Sequence, residues 1–383
     1  MRKRRLGRVL PVLVVALGLV AFGLAPSSTA RPTTAEASGP TSLKNKTICY
    51  VSPANIDVMN EMFNDITAAA KLTGTAVRVV NANANFALAL QQTQQYIASG
   101  NCNAIAVVTS LTPSTSAAWE QAAKQAKAKG IFFANFSADW VTGAALNVSN
   151  PHCPGGQTVA KLAAAWYKVH GNGGEVGMLT APQNAGLTMR TNCFEQTFKQ
   201  LVGKPVTFWS AADKVGGVQD SAAAASSLLQ AHPKIDVIFG WGADTSVGIT
   251  TAVKEAGHTD PNSFFVGAMD LYAPSLADMA TGKSVLQGGT VFDYDYAGES
   301  WNWAIENALL GKKVPPTAVA LPIQVTPQNA KFVATADKHV GSGVNQSFFA
   351  QAMVYCNVVR KYGDEFPPAS SCKPDPTFYK APA

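Results

Sequence analysis

The strongest constraint on the fold is a repeated alternation of short apolar β-type runs with long Ala-rich amphipathic stretches. The alternation begins near Lys46 and starts again after Val148. Apolar runs bounded by turn residues favour strands, and stretches with an apolar period near 3.6 favour helices. Strands that alternate with helices predict parallel sheets covered on both faces. Two such units in tandem predict an α/β chain with two lobes and a cleft between them.

The predicted elements follow this alternation. The predicted strands are 47–51, 76–80, 104–108 and 130–135 in the first unit, and 175–179, 205–209, 237–240 and 263–267 in the second. The predicted helices are 58–72, 87–99 and 115–129, then 156–170, 188–201, 218–231, 244–256 and 297–310. Ligands of open parallel sheets bind beyond the carboxyl ends of the strands. We therefore look for a site in the loops that follow these strands.

The first thirty residues have the three parts of a secretory signal peptide. A basic start is followed by an apolar run over 9–24 and by small residues that end at Ala30. The run is shorter than the roughly 20 residues of a membrane-spanning helix, and no cysteine stands directly after it to indicate a lipid-anchored N-terminus. We predict a cleaved signal over 1–30, a disordered leader over 31–45, and a protein that is periplasmic or secreted.

The net charge of +6 belongs mainly to the predicted signal. Removing five basic residues within the first thirty leaves 25 basic against 24 acidic residues. Nucleic-acid binding needs a concentrated basic face. We therefore predict no nucleic-acid partner.

Six cysteines follow the signal, in a part of the chain that export places in an oxidising compartment. Six cysteines allow many connectivities. We favour sequential pairing, because each pair then lies within one structural unit: Cys49 with Cys102, Cys153 with Cys193, and Cys356 with Cys372. A metal site is not indicated, since there is no C-x-x-C motif and the five histidines are scattered.

Motifs for catalysis or nucleotide binding are incomplete. Gly240-Trp241-Gly242 lacks the third glycine of a dinucleotide fingerprint, and neither a P-loop nor a G-x-S-x-G elbow occurs. Asp293 and Asp295 alternate along a predicted extended segment and would share one face, which keeps a glycosidase-type enzyme as an alternative. We predict no catalytic residue, no cofactor and no metal.

Polar and aromatic side chains do follow the predicted strands. Carboxylates, amides and an Arg fork bond hydroxylated ligands directionally, and aromatic rings pack against their C–H faces. Helix capping is the alternative role for Asp57 and Asp244. The candidate ligand-binding residues are Asp57, Asn60, Thr109, Ser110, Ser137, Asp139, Arg190, Trp241, Asp244, Asp270, Phe292 and Asp293.

Several stretches resemble the ribose-binding group of periplasmic sugar-binding proteins, which have the type I fold. The most specific are 228–239, 243–248, 254–257, 266–270 and 309–315, and the resemblance covers about residues 46–325. It implies that Arg190 forks onto ligand hydroxyls and that Asp270 is the acid after a late strand. Asp57 and Phe292 fall on further ligand-contacting positions. The usual aromatic pair is replaced by Met59 and Asn60, so Met59 joins Asn60 among the candidates.

The resemblance also implies the domain layout. Two doubly wound parallel-sheet lobes, 46–149 plus 293–321 and 150–292 plus 322–345, are joined by a three-stranded hinge. Its crossovers are expected near 148–151, near 292–294 and near Pro322. Residues 346–383 form a C-terminal extension for which we predict no function.

The predicted function is that of a monomeric, non-enzymatic substrate-binding protein of an ABC importer. It closes on a small polar ligand, a sugar or a sugar-like molecule, and partners an ABC permease in the membrane. Because Met59, Asn60 and Ser137 depart from the pentose pattern, a modified sugar or another polar compound is expected rather than ribose. Trp241 would supply the stacking surface instead. An exported sensor that presents its ligand to a receptor is the alternative.

Overall fold

The computed structural model describes residues 42–137, 139–214, 217–292, 294–336, 349–378 and 381–382. The predicted signal and the leader up to residue 41 lie outside these ranges, as do Ala138 and Asp293. The end of the predicted leader is described and is part of the fold. Leu43 is buried, and Lys46 donates a backbone hydrogen bond of 2.9 Å to its carbonyl. The ordered fold therefore begins before the predicted boundary at 46.

Strands and helices alternate along both halves of the chain. The strands are β1 (Thr47–Ser52), β2 (Ala76–Asn81), β3 (Ala104–Val108), β4 (Phe132–Ser137), β5 (Leu146–Ser149), β6 (Glu175–Thr180), β7 (Thr207–Ala212), β8 (Ile235–Gly240), β9 (Phe265–Ala268), β10 (Leu286–Val291), β11 (Thr317–Ala320), β12 (Ile323–Val325), β13 (Met353–Cys356) and β14 (Cys372–Lys373). The helices are α1 (Asp57–Thr73), α2 (Phe86–Ser99), α3 (Pro113–Ala128), α4 (His152–His170), α5 (Ala185–Val202), α6 (Val218–Ala231), α7 (Ala243–Glu255), α8 (Ala273–Met279), α9 (Tyr294–Leu309) and α10 (Ala330–Ala336).

These strands form two separate sheets. The first has the order β2-β1-β3-β4-β5-β11-β13-β14, and the second has the order β7-β6-β8-β9-β10-β12. Neighbouring strands are parallel except at β12, β13 and β14. The central strands β3 and β8 are buried along their whole length because helices cover both faces of each sheet. The predicted α/β class with two parallel-sheet lobes is confirmed.

Local sequence signals explain where the helices begin and end. Asn85 caps α2 by accepting from the Leu88 backbone N–H at 3.0 Å, and Asn184 caps α5 in the same way through Leu187 at 3.1 Å. The residue after α2, Gly100, has φ +65 and ends the helix in the left-handed conformation. Capping thus places the start of α5, which carries part of the site.

The chain crosses between the two sheets more than once. It leaves the first sheet between β5 and α4, returns between β10 and α9, and leaves again between β11 and β12. The extended segment predicted around Asp295 is wrong, since α9 already begins at Tyr294. Two carboxylates spaced two residues apart are too short a pattern to distinguish a strand from the first turn of a helix.

The C-terminal extension belongs to the first lobe. After α10 the chain returns to the first sheet as β13, which pairs with β11, and as β14, which pairs with β13. The three predicted disulfides are all present: Cys49–Cys102, Cys153–Cys193 and Cys356–Cys372. The second joins α4 to α5, and the third joins the two C-terminal strands.

Candidate functional site

A cavity of about 330 Å³ lies between the two lobes. Its first-lobe wall comes mainly from the segments after β1, β2, β3 and β4, and its second-lobe wall comes mainly from the segments after β6, β7, β8 and β9. These segments follow the carboxyl ends of parallel strands on both sides of the points where the strand order reverses. The cavity therefore occupies the position expected of a ligand site in a doubly wound sheet.

Most of the predicted site residues meet at this cavity. Those that line it are Met59, Thr109, Ser110, Ser137, Asp139, Arg190, Trp241, Asp244 and Asp270. Asp57 instead lines an adjoining pocket of about 460 Å³, together with Asp244 and Gly217. Phe292 is buried behind the cavity, with its ring 5.8 Å from the guanidinium carbon of Arg190.

Asn60 is the predicted residue that the structure places away from both pockets. Asn60 is exposed on α1 and lines neither pocket. A helix turns by about 100° per residue, so Asn60 cannot share the orientation of the buried Met59. Asp293 lies outside the described residues.

Arg190 forms the centre of a buried polar network. The side chain is only 2% exposed. Its Nη1 pairs with the Asp270 carboxylate and donates to the Trp241 carbonyl at 2.7 Å, and its Nε donates to Nδ1 of His152. Breaking a buried ion pair of this kind is costly because one charge is left uncompensated. The guanidinium therefore holds three parts of the second-lobe wall together.

His152 is a neutral acceptor in this network. Arg190 can only donate, so Nδ1 of His152 carries no proton when it accepts from Nε. Burial lowers the pKa of His152 well below its usual value, and the charge of Arg190 lowers it further. The imidazole thus stays neutral at pH 7 and orients the Arg190 side chain.

Asp270 connects the network to the hinge. Its Oδ2 also accepts from the Tyr294 hydroxyl at 3.1 Å, and that hydroxyl accepts from Asn150 Nδ2 at 3.2 Å. Asn150 and Tyr294 stand at two of the crossovers. The backbone of Asp270 has φ +56, a left-handed conformation that Asp tolerates better than most residues. Burial raises the pKa of Asp270, and Arg190 opposes that shift.

Asp244 lies at the start of α7, where the cavity meets the adjoining pocket. Burial raises the pKa of this carboxyl, as does the nearby charge of Asp57, while a hydrogen bond from Tyr272 acts in the opposite direction. The N-cap position of α7 is held by Gly242, and Asp244 is the second residue of the helix. Asp244 is therefore not the N-cap residue that the sequence left open as its alternative role.

The first-lobe wall is more apolar than the second. It presents Ile56, Val58, Met59, Phe86, Leu111 and Phe136 to the cavity. The Thr109 hydroxyl donates a hydrogen bond of 2.8 Å to Asn135 Oδ1. The Ser137 hydroxyl donates one of 2.9 Å to the Thr109 carbonyl oxygen. Two of the polar groups on this wall therefore bond within the lobe.

Sequence analysis missed several cavity residues. His152, Asn150 and Tyr294 come from crossover segments, and Tyr362 comes from the C-terminal extension. Within the described ranges, no group of His, Cys, Asp or Glu could hold a metal ion. No helix in that part of the chain is long and apolar enough to span a membrane.

Two α/β lobes with a cavity between them are the architecture against which known families were compared. Residues 49–313 match the periplasmic binding protein domain family. Since the match spans more than half of the chain, the protein belongs to that family. None of the curated proteins matches the sequence significantly.

Solved structures share the fold at low sequence identity. A 5-methylthioribose transporter solute binding protein from Thermotoga lettingae is 16% identical, covers 80% of this chain and 96% of its own, and has a TM-score of 0.65. An ABC transporter solute binding protein from Bacillus halodurans with bound myo-inositol is 18% identical, with coverages of 78% and 100% and a TM-score of 0.64. A Mycobacterium smegmatis protein in complex with β-D-fucofuranose is 16% identical, with coverages of 80% and 97% and a TM-score of 0.64. All three have the two-lobed fold described above.

Proposed function

We propose that this protein is the extracytoplasmic substrate-binding protein of an ABC importer and that its lobes close on one small hydroxylated ligand of the sugar or polyol type. The observation that carries the proposal is the cavity between the lobes, with its buried network around Arg190. A volume of about 330 Å³ is at the small end of ligand pockets in proteins. The connections by which the chain passes between the lobes permit the hinge bending that closure requires.

The chemistry of the second-lobe wall supports a ligand that both donates and accepts hydrogen bonds. Three buried atoms of cavity-lining side chains have no hydrogen-bond partner among the described residues: Trp241 Nε1, Asp244 Oδ1 and Asp270 Oδ1. One is a donor and two are acceptors. Unsatisfied buried polar groups are costly, and hydroxyl groups can serve either kind. A polyhydroxylated ligand would satisfy all three.

The contrast between the two walls supports a ligand with an apolar side. Sugars present C–H faces beside their hydroxyls, and the apolar first-lobe wall would cover such a face or a nonpolar substituent. Structural neighbours carry 5-methylthioribose, myo-inositol and β-D-fucofuranose. A modified sugar therefore fits the cavity better than ribose itself.

The other parts of the proposal follow from the same role. The protein would act as a monomer outside the cytoplasm after signal cleavage, deliver its ligand to a membrane permease, and bind no nucleic acid. We infer no catalysis, because the cavity network is built from groups that neutralise one another around Arg190. Asp295, proposed above as half of a carboxylate pair, belongs to helix α9.

A thermal-shift screen of the purified protein tests the proposal. The panel contains pentoses, hexoses, their methyl glycosides, alditols and cyclitols, with amino acids and small organic acids as the contrasting classes. A ligand that binds only the folded state raises the melting temperature. We expect the largest shifts from hydroxylated members, followed by confirmation of affinity by calorimetry.

The matched variants are Asp244→Asn, in the cavity, and Asp220→Asn, on α6 outside it. A hydrogen bond to a charged group contributes about 1.5–3 kcal/mol. Asp244→Asn should therefore lower the affinity for the ligand with the largest shift by about 10- to 100-fold. Asp220→Asn should leave that affinity unchanged. Equal affinity in both variants, or shifts only from the contrasting classes, would contradict the proposed function.

A further inference from the structure

The C-terminal extension reaches the cavity from outside the family domain. The domain match ends at residue 313, whereas β13 and β14 begin at 353 and 372. β13 pairs antiparallel with β11 from Thr317↔Cys356 to Ala320↔Met353. The Cys356–Cys372 disulfide closes the loop between the two strands. The loop is therefore fixed at both ends to the first sheet.

Several contacts hold this loop against the segment that follows β4. The backbone N–H of Tyr362 donates to Thr142 Oγ1 at 3.2 Å, and that of Gly363 donates to Asp139 Oδ1 at 3.2 Å. Trp140 donates its indole N–H to the Asp364 carbonyl at 3.0 Å. Its ring also meets Phe366 edge-on, with centroids 5.3 Å apart. The loop is thus docked on a segment that itself lines the cavity.

Tyr362 is the residue of this loop that lines the cavity, beside Asp139. It is half-buried and packs against the small core cluster that includes Leu111 and Val141. Leu111 belongs to the apolar first-lobe wall, so the Tyr362 ring continues that wall. The phenol adds one polar group at its edge.

We propose that Tyr362 is a specificity-determining residue, through which the C-terminal extension limits the size of the ligand that the closed cavity accepts. This inference rests on the proposed function. The docking contacts and the disulfide-closed loop fix the backbone of Tyr362, so its ring projects from a fixed position at the boundary of the cavity. Ligands should accordingly be selected by their size at the Tyr362 end of the cavity.

The test compares Tyr362→Ala and Tyr362→Trp in the full protein, using pentoses, hexoses and their methyl glycosides as size-graded probes. Val359→Ala is the control, because Val359 is 70% exposed on the same extension and lies outside the cavity. Calorimetry gives each affinity, and the ligand-free melting temperature reports on stability. A purely structural role would change the affinities of small and large probes by the same factor.

The measured quantity is the affinity for larger probes divided by the affinity for smaller probes. Tyr362→Ala should raise this ratio by about 5-fold or more, and Tyr362→Trp should lower it. Val359→Ala should keep the wild-type ratio. If the wild type binds hydroxylated probes and both Tyr362 variants keep its ratio, this inference is wrong and the proposed function stands. If the wild type binds none of these probes and none of the alditols or cyclitols of the thermal-shift panel, both the inference and the proposed function are overturned.

Discussion

The charged and polar side chains around Arg190 form hydrogen bonds with one another within the protein. The resemblance implied that Arg190 forks onto ligand hydroxyls, whereas in the structure its Nε and Nη1 bond to His152, Asp270 and the Trp241 carbonyl. We infer that Arg190 mainly positions the groups that surround the ligand. Side chains fixed in this way before binding lose little entropy on binding.

His152 gives this network a dependence on pH. The unfolded imidazole titrates near about 6.5, and burial beside Arg190 lowers the folded pKa below that value. Below about pH 6.5 the unfolded chain therefore binds a proton that the folded protein does not, so stability is lost as pH falls. His152→Asn keeps an acceptor for Arg190 but cannot titrate.

We expect the stability advantage of the wild type over His152→Asn to shrink by up to about 1.4 kcal/mol per pH unit between pH 6.5 and the folded pKa. Urea unfolding at several pH values measures the difference. Carboxyls with raised pKa values, such as Asp244 and Glu306, make the free energy of unfolding increase as pH falls. They are present in both proteins, so their effect cancels in the comparison. Parallel pH profiles would show that His152 is not a neutral acceptor.

The limits of prediction at the site have a physical cause. That Arg190 and Asp270 line the cavity could be anticipated, because the carboxyl ends of parallel strands converge and polar residues near them meet. His152 and Tyr294 could not be found in that way, since their positions depend on how two crossovers are arranged in space. Asn60 was placed wrongly because adjacent positions on a helix face different directions.

At the scale of elements, the close approach of α4 and α5 positions the network. The Cys153–Cys193 disulfide joins the helices, and Gly156 of α4 faces the α5 backbone. A Cβ at this glycine would collide with the carbonyl oxygen of Arg190 and lie 3.3 Å from the Phe194 nitrogen. The neighbouring Gly155 faces the flexible end of Met269 instead.

These neighbours give a matched pair of substitutions. Gly→Ala adds the same helix propensity at both positions, but only Gly156→Ala must displace backbone. We expect Gly156→Ala to be less stable than Gly155→Ala by about 1–3 kcal/mol, measured by denaturant unfolding with the disulfides intact. Equal stabilities would mean that the α4–α5 spacing is not limited by backbone contact.

Element prediction from the sequence worked where signals are local. Apolar runs and helical periodicity located β1 to β4 and β6 to β9, whereas β5, β10, β11 and β12 were not among the predicted strands. The cysteine pairs followed from keeping each pair within one unit. The strands β13 and β14 could not be anticipated, because β13 pairs with a strand more than thirty residues away and β14 has only two paired residues. Their stability comes from the sheet edge and the disulfide.

At the scale of the whole molecule, the tandem alternation in the sequence was sufficient to predict two lobes and a cleft. The chemical character of the two cavity walls could not be predicted in this way. It depends on which side chains the crossovers and the C-terminal extension bring together. The second lobe contributes the buried polar network, and the first lobe contributes an apolar wall extended by Tyr362. A small ligand between them would contact both, which couples binding to closure.

The central claim is that a hydroxylated ligand binds between the lobes. The most direct test is a crystal structure of the protein with the panel member of highest affinity. We predict ligand density in the cavity, with hydroxyls within hydrogen-bond distance of Asp244 Oδ1, Asp270 Oδ1 and Trp241 Nε1. The apolar face of the ligand should lie toward Met59 and Tyr362. Ligand density outside the cavity, or a ligand in the cavity that leaves these three atoms without partners, would contradict it.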